Sequence, residues 1–439
     1  MKSRSTSNYD ILYHCTFFLW TIQLKRCSRS LKKGRNETCV FHILKKANVW
    51  LDEGEKNMRC LRCQNEDPKY FYCDHGTWYC RKCIAFGRVD VGKVPTPVCL
   101  KRKKFACCYK LKYPLTPKQS VAVQQIMHYL EQKQDVLVYA ACGAGKTELT
   151  MEPIQTYLRA GKKVCFAISR RQVVLEIRDR MQEAFPGLHV IAVCQGYTSI
   201  TDGDLIICTM HQLYRYHQCF DLLIMDEIDA FPYRDNALLE AIAMDACIGE
   251  KLMLTATPDE KILEKVEQKE IEMVELFQRP HGYPLIEPTV YCMPVFFQAL
   301  WLLKFLKEQK KQGIQTLVFL PTITMAEHWY RIVRCTHRCM VFTSKSKDKE
   351  AIIDEFHKKK YDFLLCTTIL ERGITIKGIY VVIVCADHPV FQEASLIQMI
   401  GRVGRNIEMP TGKGVFLCRH KTKDIKRCVR AIHMMNQKA

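Results

Sequence analysis

The chain has 439 residues, enough for two or three domains that each bury a core, which excludes a miniprotein held together by crosslinks alone. Its 66 Lys and Arg against 46 Asp and Glu give a formal charge of +20, which favours a polyanionic partner or surface, and 48% hydrophobic residues exclude the disordered class. The unusual count is 24 Cys.

Residues 1–55 form a basic segment, with Lys32, Lys33, Arg35, Lys45 and Lys46, that shows no period or motif and stays unassigned. Its apolar stretch 15–20 is short, follows His14 and leads into Lys25 and Arg26 with no small-residue cleavage site, so no signal peptide is expected. No stretch of the chain approaches the ~20 apolar residues that cross a bilayer. A cytosolic setting follows, with reduced thiols of which some bind metal and most act as small core hydrophobes.

Residues 56–92 read as a small metal module. Cys60-Leu-Arg-Cys63 and Cys80-Arg-Lys-Cys83 are separated by sixteen residues. Each pair makes a tight knuckle, and two knuckles complete a closed tetrahedral shell for a structural Zn²⁺ on which folding of the module depends. Cys73 and His75 lie inside the loop, where either could replace one ligand. Lys69, Arg81 and Lys82 beside Tyr70, Phe71, Tyr72, Trp78 and Tyr79 supply either a stacking surface for nucleic acid or the module's own small core. A basic linker, 93–115, follows, with Pro95, Pro97 and four cations at 101–104.

From Thr116 on, short apolar runs alternate with longer amphipathic ones, the pattern of βαβ units and a parallel sheet. Strands are expected at 135–140, 163–168, 205–209, 221–225 and 252–256, and after a turn-rich passage at 316–320, 340–343, 363–367 and 380–385. The fold class is α/β, with two parallel-sheet domains in tandem, 116–282 and 283–439, and a cleft between them.

The segment 140–147, Ala-Ala-Cys-Gly-Ala-Gly-Lys-Thr, follows the first of these strands and precedes a helical stretch. Around Ala144, the glycines Gly143 and Gly145 let backbone N–H groups turn onto phosphate oxygens, Lys146 reaches the β- and γ-phosphates of ATP, and the Thr147 hydroxyl ligates Mg²⁺. Farther on, an apolar strand runs into Asp226-Glu227-Ile228-Asp229. Carboxylates at the carboxyl end of a parallel strand face the ligand crevice, where Asp226 would hold Mg²⁺ and Glu227 would orient and deprotonate the attacking water.

With Ala140 where the general phosphate loop has Gly, these segments resemble superfamily 2 helicase-type ATPases. Thr255-Ala256-Thr257 resembles motif III, which links the nucleotide site to nucleic-acid grip. Gln398-Met-Ile-Gly401-Arg402-Val-Gly404-Arg405 resembles motif VI, whose arginines reach the γ-phosphate from a second domain, as planar guanidiniums are suited to do. Ser169-Arg170-Arg171 and Thr209-Met-His211-Gln212 resemble motifs Ia and Ib, which hold the nucleic-acid backbone, and Phe319-Leu-Pro321 resembles motif IV. Thr367-Thr368 with Glu371-Arg372-Gly373-Ile-Thr375 resembles motif V, with Thr375 where many relatives carry Asp. Gln119 is either an adenine reader or a helix-surface glutamine.

A four-cysteine module ahead of such a motor, with the 142–148, 226–233 and 398–405 segments, closely resembles the ComFA-type late-competence DNA-uptake ATPases of Gram-positive bacteria. The resemblance runs from Arg59 to the C-terminus. It implies two RecA-like domains and a cytosolic or membrane-peripheral motor on single-stranded DNA entering through a membrane channel, working with a phosphoribosyltransferase-like competence partner. The rival enzyme is a replication-restart helicase, in which zinc cysteines typically interrupt the motor. A zinc-dependent nucleic-acid-binding scaffold without motor activity is the rival from another class, and it leaves Lys146, Thr147, Asp226, Glu227, Gln398, Arg402 and Arg405 unexplained.

Overall fold

The computed structural model describes residues 58–93, 98–106, 108–371, 376 and 378–439. The unassigned segment 1–55 and the motif V residues Arg372, Gly373 and Thr375 lie outside the described residues. Cys60–Ala439 form one compact unit that holds every element below.

The first described strands, β1 (Phe71–Asp74) and β2 (Thr77–Cys80), form a hairpin, antiparallel with Phe71 opposite Cys80. The described residues of the basic stretch after it carry no regular element and lie along the first large domain. Phe105 donates its N–H to Leu158 at 3.2 Å and Lys110 to Ala184 at 2.8 Å, while Arg102 pairs with the Asp221 carboxylate, so the stretch is tied by main chain and by charge.

Helix α1 (Pro117–Glu131) starts sharply because Thr116 and Gln119 cap it reciprocally, and Pro117 at its first position has no N–H to leave orphaned. Then come β3 (Asp135–Ala140), α2 (Lys146–Leu149), α3 (Met151–Arg159), β4 (Val164–Ile168), α4 (Arg171–Ala184), β5 (Val190–Val193) and β6 (Leu205–Thr209). The domain continues with β7 (Phe220–Asp226), α5 (Ala237–Ala246), β8 (Cys247–Thr255), α6 (Glu260–Glu267) and β9 (Ile271–Leu276). The strands line up as β5-β6-β4-β7-β8-β3-β9, every pair parallel. β4 and β6 are buried at every position, because a parallel sheet covered on both faces has no wet side; hence their unbroken apolar runs.

The second domain holds β10 (Thr289–Cys292), α7 (Val295–Gln312), β11 (Gln315–Phe319), α8 (Ile323–Val333), β12 (Cys339–Phe342) and α9 (Lys349–His357). It ends with β13 (Phe363–Cys366), β14 (Ile379–Ile383), α10 (Glu393–Ile400), β15 (Gly414–Cys418) and α11 (Lys423–Lys438). Its parallel order is β10-β15-β14-β11-β13-β12.

Every strand expected from an apolar run is present. In the two large sheets the strands β5, β9, β10 and β15 were not expected, β9 and β10 for a local reason. β9 carries Glu272 and Glu275 straight after a charged helix and β10 is an edge strand with most positions exposed, whereas β5 and β15 are apolar runs no shorter than strands that were expected. The two sheets share one buried cluster, which includes Cys142, Leu149 and Ile154 from the first domain and Ile397 and Ile400 from the second.

Candidate functional site

At the carboxyl end of β3 the chain turns through Ala141–Gly145 into α2. Gly143 and Gly145 adopt φ of +83° and +89°, the left-handed region that a side chain disfavours. Space demands glycine too, since a Cβ on Gly145 would lie 2.3 Å from the Gln119 amide nitrogen. Lys146 Nζ donates to the carbonyls of Ala140 at 3.1 Å and Ala141 at 3.3 Å, and the Thr147 side chain is buried beneath the loop. Gln119 uses both ends of its amide within the protein. Its oxygen accepts from the Thr116 N–H at 2.9 Å and its nitrogen donates to the Ala144 carbonyl at 2.9 Å, so it struts the loop against α1.

β7 delivers Asp226 to the same edge of the sheet. Glu227 follows at φ +55°, and its N–H donates to Asp226 Oδ1 at 2.9 Å. Burial, and then the neighbouring Glu227 carboxylate, push the Asp226 carboxyl up to about 7, against the opposing pull of Lys146. An Asp226 carboxyl raised in this way suits a divalent cation, which restores the ionised form that the protein alone disfavours.

β8 lies between β3 and β7 and ends in Thr255. Asp229, 5% exposed, accepts from the Thr255 hydroxyl at 2.8 Å and from the Thr257 hydroxyl, and the Thr257 N–H donates to Thr255 Oγ1 at 3.0 Å. The acidic segment and the Thr-Ala-Thr segment are therefore one hydrogen-bonded unit.

The second domain closes over this edge with the end of α10. The Cys142 thiol donates to Gln398 Oε1 at 3.2 Å, and Arg405 Nε donates to the Gly401 carbonyl at 2.8 Å. Arg402 is 2% exposed; burial, and then Arg405, push its guanidinium down to about 9, while Glu227 favours its charge. A cleft of about 850 Å³ results, with Lys146, Thr147, Asp226, Glu227, Gln398 and Arg405 in its walls. The strap Lys110–Leu115 and Arg180 also line it.

The remaining motif residues are dispersed along the strand ends. Arg170 Nη1 donates to the Ile369 carbonyl at 2.7 Å and so ties the two domains. Arg171 donates to the Gln195 carbonyl at 2.9 Å and lies 5.6 Å over the Tyr197 ring. Thr209 ends β6, and Thr367 follows β13. His211 packs 6.3 Å from Phe86 of the cysteine module, and burial lowers its basicity. Phe86 also lies 5.1 Å from Tyr214, so the module is seated on the turn that carries the motif Ib segment.

Within that module the sulfurs of Cys60, Cys63, Cys80 and Cys83 all lie within 4.8 Å of one another, and all four residues are buried. The Cys60–Cys83 and Cys63–Cys80 pairs are each 3.7 Å apart. Zn–S bonds of about 2.3 Å in a tetrahedron place sulfurs roughly 3.8 Å apart, so the cluster fits Zn²⁺. Arg62, buried, donates to the Cys83 carbonyl at 2.9 Å and to the Cys83 sulfur at 3.3 Å, which orients that knuckle. His75 points away with its side chain 98% exposed and Cys73 is outside the cluster, so neither replaces a ligand. Of the nearby aromatics only Phe71 is buried, while Tyr72 and Trp78 stay exposed at 51% and 38%.

Arg279, which joins the two domains, carried no sequence signal, nor did the pairing of Cys142 with Gln398. Both depend on contacts across the fold. Asp229 was legible as part of an acidic run, though not as the partner of two threonines. Among the described residues no helix is long and apolar enough to cross a membrane.

Three family models match the chain: the competence protein ComFA N-terminal domain over residues 26–94, the type III restriction enzyme res subunit over 112–260, and the helicase conserved C-terminal domain over 298–407. Competence protein ComFA of Streptococcus pneumoniae is 32% identical over 395 residues, covering 87% of this chain and 90% of its own length. Competence protein ComFA of Bacillus subtilis is 30% identical over 412 residues, covering 88% and 87%. Among solved structures, RecG bound to a three-way DNA junction superposes with a TM-score of 0.55 at 21% identity over 73% of this chain and 45% of that one. Helicase Lhr of Mycobacterium smegmatis, bound to ssDNA and AMP-PNP, gives a TM-score of 0.55 at 16% identity over 74% and 48%, a likeness of fold. With its paired parallel sheets, phosphate loop and relatives matched nearly end to end, the chain belongs to the ComFA family of competence-associated, helicase-like ATPases of superfamily 2.

Proposed function

We propose that this chain is an ATP-driven translocase on single-stranded DNA that serves DNA uptake during competence. The observation that carries the reading is the convergence in one cleft of Lys146 and the Asp226–Glu227 pair from one sheet with Arg405 from the other. Phosphoryl transfer needs little covalent chemistry from protein, so positioning and charge neutralisation are what such a cleft supplies. Lys146 would leave the Ala140 and Ala141 carbonyls for the β- and γ-phosphates, Glu227 would orient and deprotonate the attacking water, and Arg402 and Arg405 would balance charge developing on the γ-phosphate. Thr147 and Asp226 would hold Mg²⁺, which supplies further neutralisation of the phosphate oxygens. Gln119 acts through the loop it supports.

Single-stranded DNA would run over the strand-end loops of both domains, held through phosphates by Arg171, Thr209, His211, Thr367, Arg372 and Gly373, with Thr255 and Thr257 linking that grip to the nucleotide. The charge of +20 supports this track. The Arg170 bond to Ile369 supports a grip that changes as the cleft opens and closes. A structural Zn²⁺ at Cys60, Cys63, Cys80 and Cys83 would stiffen the module seated beside motif Ib. A phosphoribosyltransferase-like partner and the uptake channel would bring the motor to the inner face of the membrane. The cysteines precede the motor rather than interrupt it, which disfavours a replication-restart helicase.

The test is ATP turnover with and without single-stranded DNA. Wild type should be stimulated by DNA, and Lys146→Ala should lose about 10²-fold or more. DNA binding without DNA-stimulated turnover in the wild type overturns the motor and leaves the scaffold.

A further inference from the structure

Arg279 lies between β9 and β10, in the turn-rich passage that joins the two sheets, and it is 1% exposed. Its guanidinium donates four hydrogen bonds, all to backbone carbonyls. Nε reaches Cys142 at 3.0 Å, Nη1 reaches Val403 and Gly404 at 2.8 Å each, and Nη2 reaches Gly401 at 2.9 Å. The first acceptor belongs to the phosphate loop, and the other three belong to the turn between α10 and Arg405. One planar cation thus spans both domains at the point where they meet.

Two details connect this bridge to the reaction. The Gly401 carbonyl accepts from Arg405 Nε at 2.8 Å as well as from Arg279, so both lone pairs of one oxygen are taken by guanidiniums. Arg405 and Arg279 also flank the same loop glycine, since a Cβ on Gly143 would lie 3.5 Å from Arg279 Nε and 3.6 Å from Arg405 Cγ. His281, from the same passage, adds a contact to the Gly404 carbonyl at 3.0 Å, which leaves the turn little freedom. Burial, and then Arg405, push the Arg279 guanidinium down to about 10, which keeps it charged at neutral pH. A lysine ammonium has fewer donors on a flexible stem and cannot reproduce a fork directed at both domains.

We propose that Arg279 is a positioning residue for ATP hydrolysis: it seats the turn that carries Arg405 directly on the phosphate loop, so that closing the cleft and presenting Arg405 become one event. The proposal rests on the motor reading above. It assigns Arg279 no contact with nucleotide, and it sends its effect through Arg405.

The test compares the full-length chain with Arg279→Lys, Arg405→Ala and the double variant, reading kcat in saturating DNA, Kd for a fluorescent ATP analogue, and melting. Arg279→Ala strips four bonds from a buried seam, so the lysine variant is the one to measure, with Arg279→Gln as a second neutral probe of the same bonds. The expected result for Arg279→Lys is a kcat lower by about 10²-fold, the scale of a small misplacement of a reacting group, with Kd within about threefold. The double variant should be no slower than Arg405→Ala alone. Unchanged kcat, a loss seen only in melting, or losses that multiply in the double variant would each overturn the positioning role while leaving the motor intact. An inactive wild type would overturn the motor itself, and the inference with it.

Discussion

The thiol of Cys142 donates to the side-chain oxygen of Gln398 across 3.2 Å, joining the phosphate loop of one sheet to the last helical turn before the arginine pair of the other. Directly beside this bond the Gly401 backbone packs on the Cys142 side chain. A Cβ on Gly401 would lie 2.5 Å from Cys142 Cβ and 2.9 Å from the Ile397 carbonyl. The glycine is required by proximity rather than by dihedral angle, because Gly401 has φ −57°.

Gly401→Ala should therefore hold the seam open. Turnover is expected to fall about 10²-fold, while overpacking costs about 1–3 kcal/mol of stability. Cys142→Ser keeps a donor of similar size and should stay within about twofold of wild-type turnover. Steady-state ATPase rates with a melting curve for each variant separate the two effects. Full activity of Gly401→Ala would mean that hydrolysis does not use the closed seam.

The cysteine cluster predicts a metal requirement confined to one module. Wild type should carry about one Zn²⁺ per chain, and Cys60→Ala or Cys80→Ala should lose it, because a shell of three thiolates no longer closes. Loss of metal should also expose 60–92 to protease while the two sheets, whose shared buried cluster includes no residue of the module, still unfold cooperatively. Metal content unchanged in the variants would reject the tetrad.

Asp229 ties Thr255 and Thr257 together through two side-chain bonds, one of 2.8 Å to Thr255. Asp229→Asn keeps the shape, removes the charge and turns one acceptor into a donor, at a cost of about 1.5–3 kcal/mol for a bond to a charged group. The expected outcome is a basal ATPase within a few-fold of wild type and a lost response to single-stranded DNA. Stimulation that survives the substitution would remove these threonines from the coupling path.

Much of this site could be read from short spans of chain. The phosphate loop, the Asp226–Glu227 pair and the end of α10 each stand at a strand or helix terminus, where a few consecutive residues set the geometry. The buried strands announced themselves because both faces of a parallel sheet are covered. The exceptions are instructive: β10 is an edge strand whose side chains mostly stay wet, and β9 is broken by Glu272 and Glu275, so neither shows an unbroken run. Gln119 was legible as either a base reader or a surface residue, and its amide instead bonds Thr116 and Ala144 on either side, a pairing that needs α1 packed against the loop.

What the sequence by itself determined is local: which glycine-rich segment turns from strand into helix, which strand ends in carboxylates, and which four sulfurs cluster. Strand and helix periods and the knuckle spacing act over a few residues, so these features survive without knowledge of the fold. The tertiary structure alone decided that Arg279 bridges Cys142 to Gly401, Val403 and Gly404, and that Cys142 meets Gln398. A buried donor must find its acceptors among whatever groups packing brings near, and here those groups lie more than a hundred residues away along the chain.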